Sequence, residues 1–269
     1  MFGLIVRVYG CFSGMAVLMK RFRAIVSYDG TNYVGWQTQI KTNTIQETIE
    51  KVIESICCQP TSIVCSGRTD AGVHACGQVF HFDSDFDLTN EKWKVAINGH
   101  LPKDIHIHSV VQVKSDFHAR FHAIGKRYDY LINFNEYDVF SRLYAYQCFS
   151  HLNVDKMKEA SQIFLGKHDF SSFCVNSFAT HPDQVRTITK IEFIQEQSQL
   201  RIVFEGKGFL RYMVRMIIGT LIEVGRGRIT QEEVQNMLNL RSKTACRHNA
   251  KAHGLTLMSV FYNDGWEIE

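Results

Sequence analysis

The chain has 269 residues, 45% of them hydrophobic and 21% charged, with a formal net charge of +3. That length supplies ample apolar surface for one large or two moderate domains, and the composition excludes a disordered or collagen-like chain. So small a net charge permits a polyanionic partner without requiring one, so any nucleic-acid surface has to come from local clusters of Lys and Arg.

The first 18 residues are apolar, with Arg7 as their one charge. They lack the basic start and cleavage site of a leader and are too broken for a membrane span. We expect residues 1–18 to stand outside the fold, and no membrane partner. N-terminal sequencing of the natural protein tests whether translation starts near Met19. Lys20 followed by Phe22, Ala24, Val26 and Tyr28 in alternation predicts a strand over 21–28. A helix is predicted over 45–57, with Ile45, Ile49, Val52, Ile53 and Ile56 as its buried stripe and Thr44 with Glu47 as a capping box. Ile63 and Val64 end one strand, and Val79, Phe80, His81 and Phe82 begin another. A helix from about Thr89 buries Trp93, Ala96 and Ile97, and 105–113 alternates as a strand.

The second half repeats this order. Residues 126–134 predict a strand, and a helix from about Asp155 buries Met157, Ala160 and Phe164 before Gly166 ends it. Residues 191–193 and 200–204 predict a hairpin, followed by a strongly apolar helix over 210–224. Thr230 with Glu233 caps another helix carrying Val234, Met237 and Leu238, and 255–261 closes as a strand. The fold class expected is α+β in two halves, 19–124 and 125–269, each with strands grouped around two helices. Only Pro60, Pro102 and Pro182 occur and no low-complexity linker intervenes, so the boundary near 122–126 should be tight.

Cysteines at Cys11, Cys57, Cys58, Cys65, Cys76, Cys148, Cys174 and Cys246 form no Cys-x-x-Cys pair. Neither a structural zinc nor a thioredoxin-like motif is indicated, and scattered thiols in a chain this large suit a reducing, cytoplasmic compartment. His106 and His108 share one face of an alternating strand with no third ligand at useful distance, so no metal is expected.

Between the strands that end at Val64 and begin at Val79 lies the run Ser66-Gly67-Arg68-Thr69-Asp70-Ala71-Gly72-Val73-His74, continuing through Gly77-Gln78. It lifts one arginine and one carboxylate out of a rigid scaffold, which is how folds present reactive groups. An aspartate beside glycines is more often a turn former bonded to its own backbone, and on position alone that reading of Asp70 is the commoner.

The wording of this loop, Gly67 to Ala75 followed by Gly77-Gln78-Val79, resembles the active-site signature of the TruA family of tRNA pseudouridine synthases. So do Tyr28-Asp29-Gly30 with Gly35-Trp36-Gln37; Asp116-Phe117-His118-Ala119-Arg120-Phe121; Lys126-Arg127-Tyr128-Asp129-Tyr130; Asp169-Phe170-Ser171-Ser172-Phe173; Gly208-Phe209-Leu210-Arg211-Tyr212-Met213-Val214-Arg215; and Gly254-Leu255. The resemblance runs from about Lys20 to about Tyr262 and implies two ferredoxin-like, RRM-like halves joined into one long, mainly antiparallel sheet with a central RNA-binding cleft. It departs from the family pattern in the extra N-terminal residues and in a short run around 177–184.

What the resemblance implies is conversion of uridine to pseudouridine in tRNA, an isomerisation without cofactor, at positions 38, 39 and 40 of the anticodon stem-loop by a homodimer. The glycosidic bond breaks, the base rotates and C5 bonds to C1′. Asp70 is the one carboxylate of the loop able to assist. Attack on C1′, abstraction of a sugar proton and addition to C6 of the base all stay open. Arg215, on the apolar helix with Arg211 one turn before it, is the implied ion-pair partner of Asp70, lowering its pKa; by position alone it reads equally as a snorkelling arginine. Tyr128 is implied to stack on the uracil and Leu255 to floor the ring, although both also read as core. Arg68 is implied to fill the space of a flipped base or hold the displaced backbone. His74 is expected to brace the loop. Arg21, Arg23, Arg120, Lys126 with Arg127, Lys207 with Arg211, and Arg226 with Arg228 are the candidate phosphate contacts.

Two other classes compete. A non-catalytic RNA binder on the same sheet has no need of Asp70. A retaining glycosidase or nucleoside hydrolase needs a second, acid-acting carboxylate, which the loop does not carry.

Overall fold

The computed structural model describes residues 19–134, 136–196 and 198–268; the segment 1–18 lies outside the described residues. Ten strands form one sheet. They are β1 (Lys20–Tyr28), β2 (Val64–Cys65), β3 (His74–Ser84), β4 (Ile105–Val113), β5 (Ala123–Asn133), β6 (Tyr146–Gln147), β7 (Gly166–Asp169), β8 (Val185–Glu196), β9 (Gln199–Gly206) and β10 (Leu255–Tyr262). Their order is β4-β1-β3-β10-β5-β9-β8-β7, with β2 added to β3 and β6 to β5. The C-terminal strand is the weld. β10 runs parallel to β3, with Thr256 opposite His74, and antiparallel to β5, with Leu255 opposite Tyr130. The other long pairings are antiparallel, so the sheet is mixed and mainly antiparallel, in the α+β class expected.

Alternation along each strand decides which face is covered. Phe22, Ala24, Val26 and Tyr28 of β1 point into one core with Phe80 and Phe82 of β3, Tyr128 and Tyr130 of β5, Ile202 and Phe204 of β9, and Leu257 of β10. Helices α1 (Ile45–Cys57), α2 (Asn90–Asn98), α3 (Val154–Ser161), α4 (Met213–Gly225) and α5 (Gln231–Leu240) supply the rest of that core. The opposite face holds a small cluster of Val79, Val113, Phe117 and Ala119, and ion pairs such as Arg21 with Asp83.

Three local features differ from the sequence reading. β3 begins at His74, so Val79 to Phe82 lie in mid-strand and the loop is shorter. The Thr230–Glu233 capping box forms, but that of Thr44 and Glu47 does not. The carbonyls of Gly35 and Trp36 accept from Ile45 N and Gln46 N, so neighbouring backbone caps the start of α1. The Thr44 hydroxyl is buried without a partner, and Glu47 pairs with Lys51. Finally, α4 starts at Met213 because Tyr212 adopts φ +66°. Arg211 therefore stands before the helix and shares no helical face with Arg215.

Candidate active site

The turn from Ser66 to Val73 connects β2 to β3 and is held from every side. Lys126 Nζ and Gln78 Nε2 donate to the carbonyls of Ser66 and Gly67, both at 2.7 Å. Trp36 N donates to Thr69 O at 3.1 Å, and the hydroxyls of Tyr28 and Thr69 meet at 2.7 Å. Gly35 makes the Trp36 approach possible: it sits at φ +83°, and a Cβ there would fall 2.7 Å from Thr69 O. His74 Nδ1 accepts from Gly30 N–H at 3.0 Å, and its Nε2 donates to Leu143 O at 2.9 Å, tying the end of the loop to two distant segments.

Fixed in this way, the loop aims Asp70 into a cleft of about 1110 Å³. From the far wall α4 carries Arg215, whose Nη1 donates to Asp70 Oδ2 at 3.2 Å. Its Nε donates to Ala250 O at 2.9 Å, and its guanidinium lies 4.9 Å from the Tyr212 ring centre. Aimed by three contacts, Arg215 does not snorkel. Asp70 is mostly buried, and that burial pushes its carboxyl above the ordinary value. The Arg215 charge and hydrogen bond, and then Arg211, pull it back without cancelling the rise. The lowering by the arginine that the sequence led us to expect is present, but desolvation is the larger effect.

Tyr128 and Leu255 line the same cleft, on adjacent strands. The Tyr128 ring stands edge-on to Phe209 at 5.3 Å, and burial pushes its phenol well above the usual value. Arg68 also lines the cleft, is exposed, and makes no hydrogen bond or ion pair among the described residues. All five residues singled out in the sequence thus face one space.

The basic groups divide. Arg68, Arg120, Lys126, Arg211 and Arg215 line the cleft, and Asp70 is the one carboxylate among its described lining residues. Arg21 and Arg23 are spent on Asp83 and Glu267, Arg127 on Asp129, and Arg226 and Arg228 on Glu223, so the structure does not bring them to the site. Lys126 differs from its sequence reading. Its ammonium reaches under the loop to Ser66 O, and burial lowers its pKa to about 8. Sequence reasoning missed this prop and Gln78, and of the wall formed by Asn176, Ser177, Thr180 and His181 it marked only the unusual run around 177–184. The proximity of Lys126 to Gly67, where a Cβ would fall 2.4 Å from its Nζ, leaves no trace in either residue's neighbours in sequence.

Among the described residues no group of three His, Cys, Asp or Glu could hold a metal ion, and no helix is long and apolar enough to cross a membrane. One carboxylate, one guanidinium against it, an aromatic wall and a cationic rim suit covalent or proton-transfer chemistry on a polyanionic substrate.

A family described as tRNA pseudouridine synthase matches residues 24–122 and 160–263. The tRNA pseudouridine synthase A of Listeria innocua is 44% identical over 254 residues, covering 91% of this chain and 100% of the relative. Those of Bacillus licheniformis and Bacillus subtilis are each 40% identical over 247 residues, with the same coverage. The chain belongs to the TruA family of tRNA pseudouridine synthases, isomerases that turn uridine into pseudouridine.

Proposed function

We propose that the protein isomerises uridines at positions 38, 39 and 40 of the tRNA anticodon stem-loop, with Asp70 as the catalytic carboxylate acting on a flipped-out nucleotide. The observation that carries this reading is the isolation of Asp70 in the cleft, 3.2 Å from Arg215 and with no second lining carboxylate among the described residues. A retaining glycosidase would need that second group. A binder that did no chemistry would gain nothing from desolvating a carboxylate at the centre of a cationic cleft.

In this reading Arg215 holds Asp70 in its ionised form and in place. Tyr128 and Leu255 bracket the uracil, and Arg68, free of partners among the described residues, takes the space the target base leaves or grips its backbone. Arg120 and Arg211 supply local positive potential for the phosphates. We also infer a homodimer across which one tRNA lies, and action in the cytoplasm. The decisive experiment maps pseudouridine in tRNA from cells with and without the gene. Loss at positions 38, 39 and 40 alone is expected; loss at other positions with these three intact would overturn the assignment.

A further inference from the structure

One wall of the cleft has no part in the chemistry above, yet it is built with care. Residues 175–183 leave the end of a short 3-10 turn (Ser171–Phe173), pass over Arg211, and return to the start of β8. They overlap the run around 177–184 that departs from the family pattern. Loops of polar residues are ordinarily loose. This one closes on Gln184, which is only 2% exposed. Gln184 Nε2 donates to Asn176 O at 3.2 Å and to His181 O at 3.1 Å. Its Oε1 accepts from the Cys174 thiol at 3.1 Å and from the Lys243 ammonium. All the hydrogen-bonding capacity of one buried amide is spent on fixing the two ends of the wall. The wall is also joined to the site, because Asn176 Oδ1 accepts from Arg211 N at 2.7 Å and Val175 N donates to Arg211 O at 3.2 Å.

At its crest, the His181 ring is oriented as well. The Thr180 hydroxyl lies 3.5 Å from Ser177 O and 3.0 Å from His181 Nδ1, and the assignment that satisfies both contacts has Nδ1–H donating to the hydroxyl oxygen. That tautomer leaves Nε2 as a lone-pair acceptor on an exposed residue of the cleft wall. In a cleft whose other charged groups are mainly donors, this acceptor is suited to a donor on the RNA.

We propose that residues 175–183 are an RNA-reading wall, with His181 accepting a hydrogen bond from the nucleotide next to the target uridine and Gln184 as the positioning residue behind it. This rests on the reading of the Asp70 cleft as the active site. The donor is a ribose 2′-hydroxyl or a base N–H, and the wall selects among uridines by what flanks them.

The test uses the whole protein with transcribed tRNA. His181 is exposed, so His181→Ala should fold as the parent does. Its KM and its Kd for tRNA should rise about 3- to 10-fold, the size of one net hydrogen bond, with kcat unchanged. A 2′-deoxy substitution in the flanking nucleotide, or a base lacking the N–H, should cost the parent the same factor and His181→Ala nothing more; whichever does so names the donor. Gln184→Glu keeps the acceptor for Lys243 but turns the two donors into an oxygen facing two carbonyls, so its Tm should fall and, at temperatures where it is fully folded, its KM should rise likewise. Unchanged KM and Kd in His181→Ala, or a loss confined to kcat, would overturn the proposal. So would a Gln184→Glu variant whose Tm falls while its KM holds. Asp70→Ala run in parallel separates the two readings: turnover in that variant would defeat the site assignment, whatever His181 does.

Discussion

Arg215 Nη1 and Asp70 Oδ2 lie 3.2 Å apart although 145 residues separate them in the chain. The pair exists because β10 enters the sheet between β3 and β5, which brings α4 over the loop that ends at His74. An ion pair this far buried is expensive to desolvate, and a protein built only for stability would do as well with apolar groups there. Its value lies in what Asp70 can do once it is ionised.

Removing the carboxylate should therefore cost activity and not the fold. Asp70→Asn and Asp70→Ala are expected to lower turnover by about 1,000-fold or more while tRNA binding is largely retained. The folded-state pKa of Asp70 is raised, so folding favours its protonated form; this stabilising contribution is present at low pH and is lost as pH rises through the folded pKa. At pH 7 the ionised Asp70 is thus a net burden, and Asp70→Asn should melt at the same temperature as the parent or higher. Its advantage should shrink as pH falls toward the ordinary carboxylate range. Thermal melts between pH 4 and pH 7 check the sign, and a lower Tm for Asp70→Asn at pH 7 would contradict it.

Replacing the partner should move the titration. With Asp70 as the proposed catalytic carboxylate, the acid limb of kcat/KM should report its ionisation, and the Arg215 charge is what pulls its pKa down against burial. Arg215→Ala should shift that limb to higher pH. Arg215→Lys keeps the charge but cannot serve Asp70 and Ala250 O from a planar fork, and should lose about 10- to 100-fold in kcat. An acid limb at the same pH in parent and Arg215→Ala would show that another group sets it.

Much of this was legible before any coordinates. The stripes of α1 and α5, the alternation of β1 and the Thr230 box are local patterns, and they form as read. Asp70, Arg68, Tyr128, Arg215 and Leu255 were legible as candidates because motif wording carries over between relatives. Contacts between segments were not. Thr44 fails as a cap because the backbone of Gly35 and Trp36 arrives first, and no local pattern shows that. Arg211 falls off the helix because Tyr212 takes a left-handed turn that is rare for an aromatic residue. The balance of burial against charge at Asp70 depends on how much water the finished cleft excludes, which only the assembled walls determine.

The close approach at Gly35 provides a test of the scaffold alone. A methyl group there meets Thr69 O at 2.7 Å on a backbone with φ +83°, and the obstacle is main chain that cannot rotate away. Gly35→Ala should destabilise the protein by about 1–3 kcal/mol, read from urea midpoints at constant m-value. Because Thr69 precedes Asp70, kcat should fall as well, even at temperatures where the variant is fully folded. Full activity in a folded but destabilised variant would show that the loop tolerates displacement.

Arg68 separates catalysis from access. It lines the cleft with no hydrogen-bond or ion-pair partner among the described residues, so its removal should leave the Asp70–Arg215 pair and the melting temperature unchanged. A uridine in a stem must be unpaired and unstacked before Asp70 can reach it, at a cost of a few kcal/mol, whereas one in an unstructured strand has little to lose. If Arg68 holds the opened conformation, Arg68→Ala should slow turnover on folded tRNA by about tenfold more than on a short single-stranded RNA carrying the same target. Arg68→Lys should recover part of the loss, since a lysine retains the charge but not the planar group that can stack in a vacated base position. Equal losses on both substrates would assign Arg68 to phosphate binding, and a steeper salt dependence in the parent than in the variant would then be its signature.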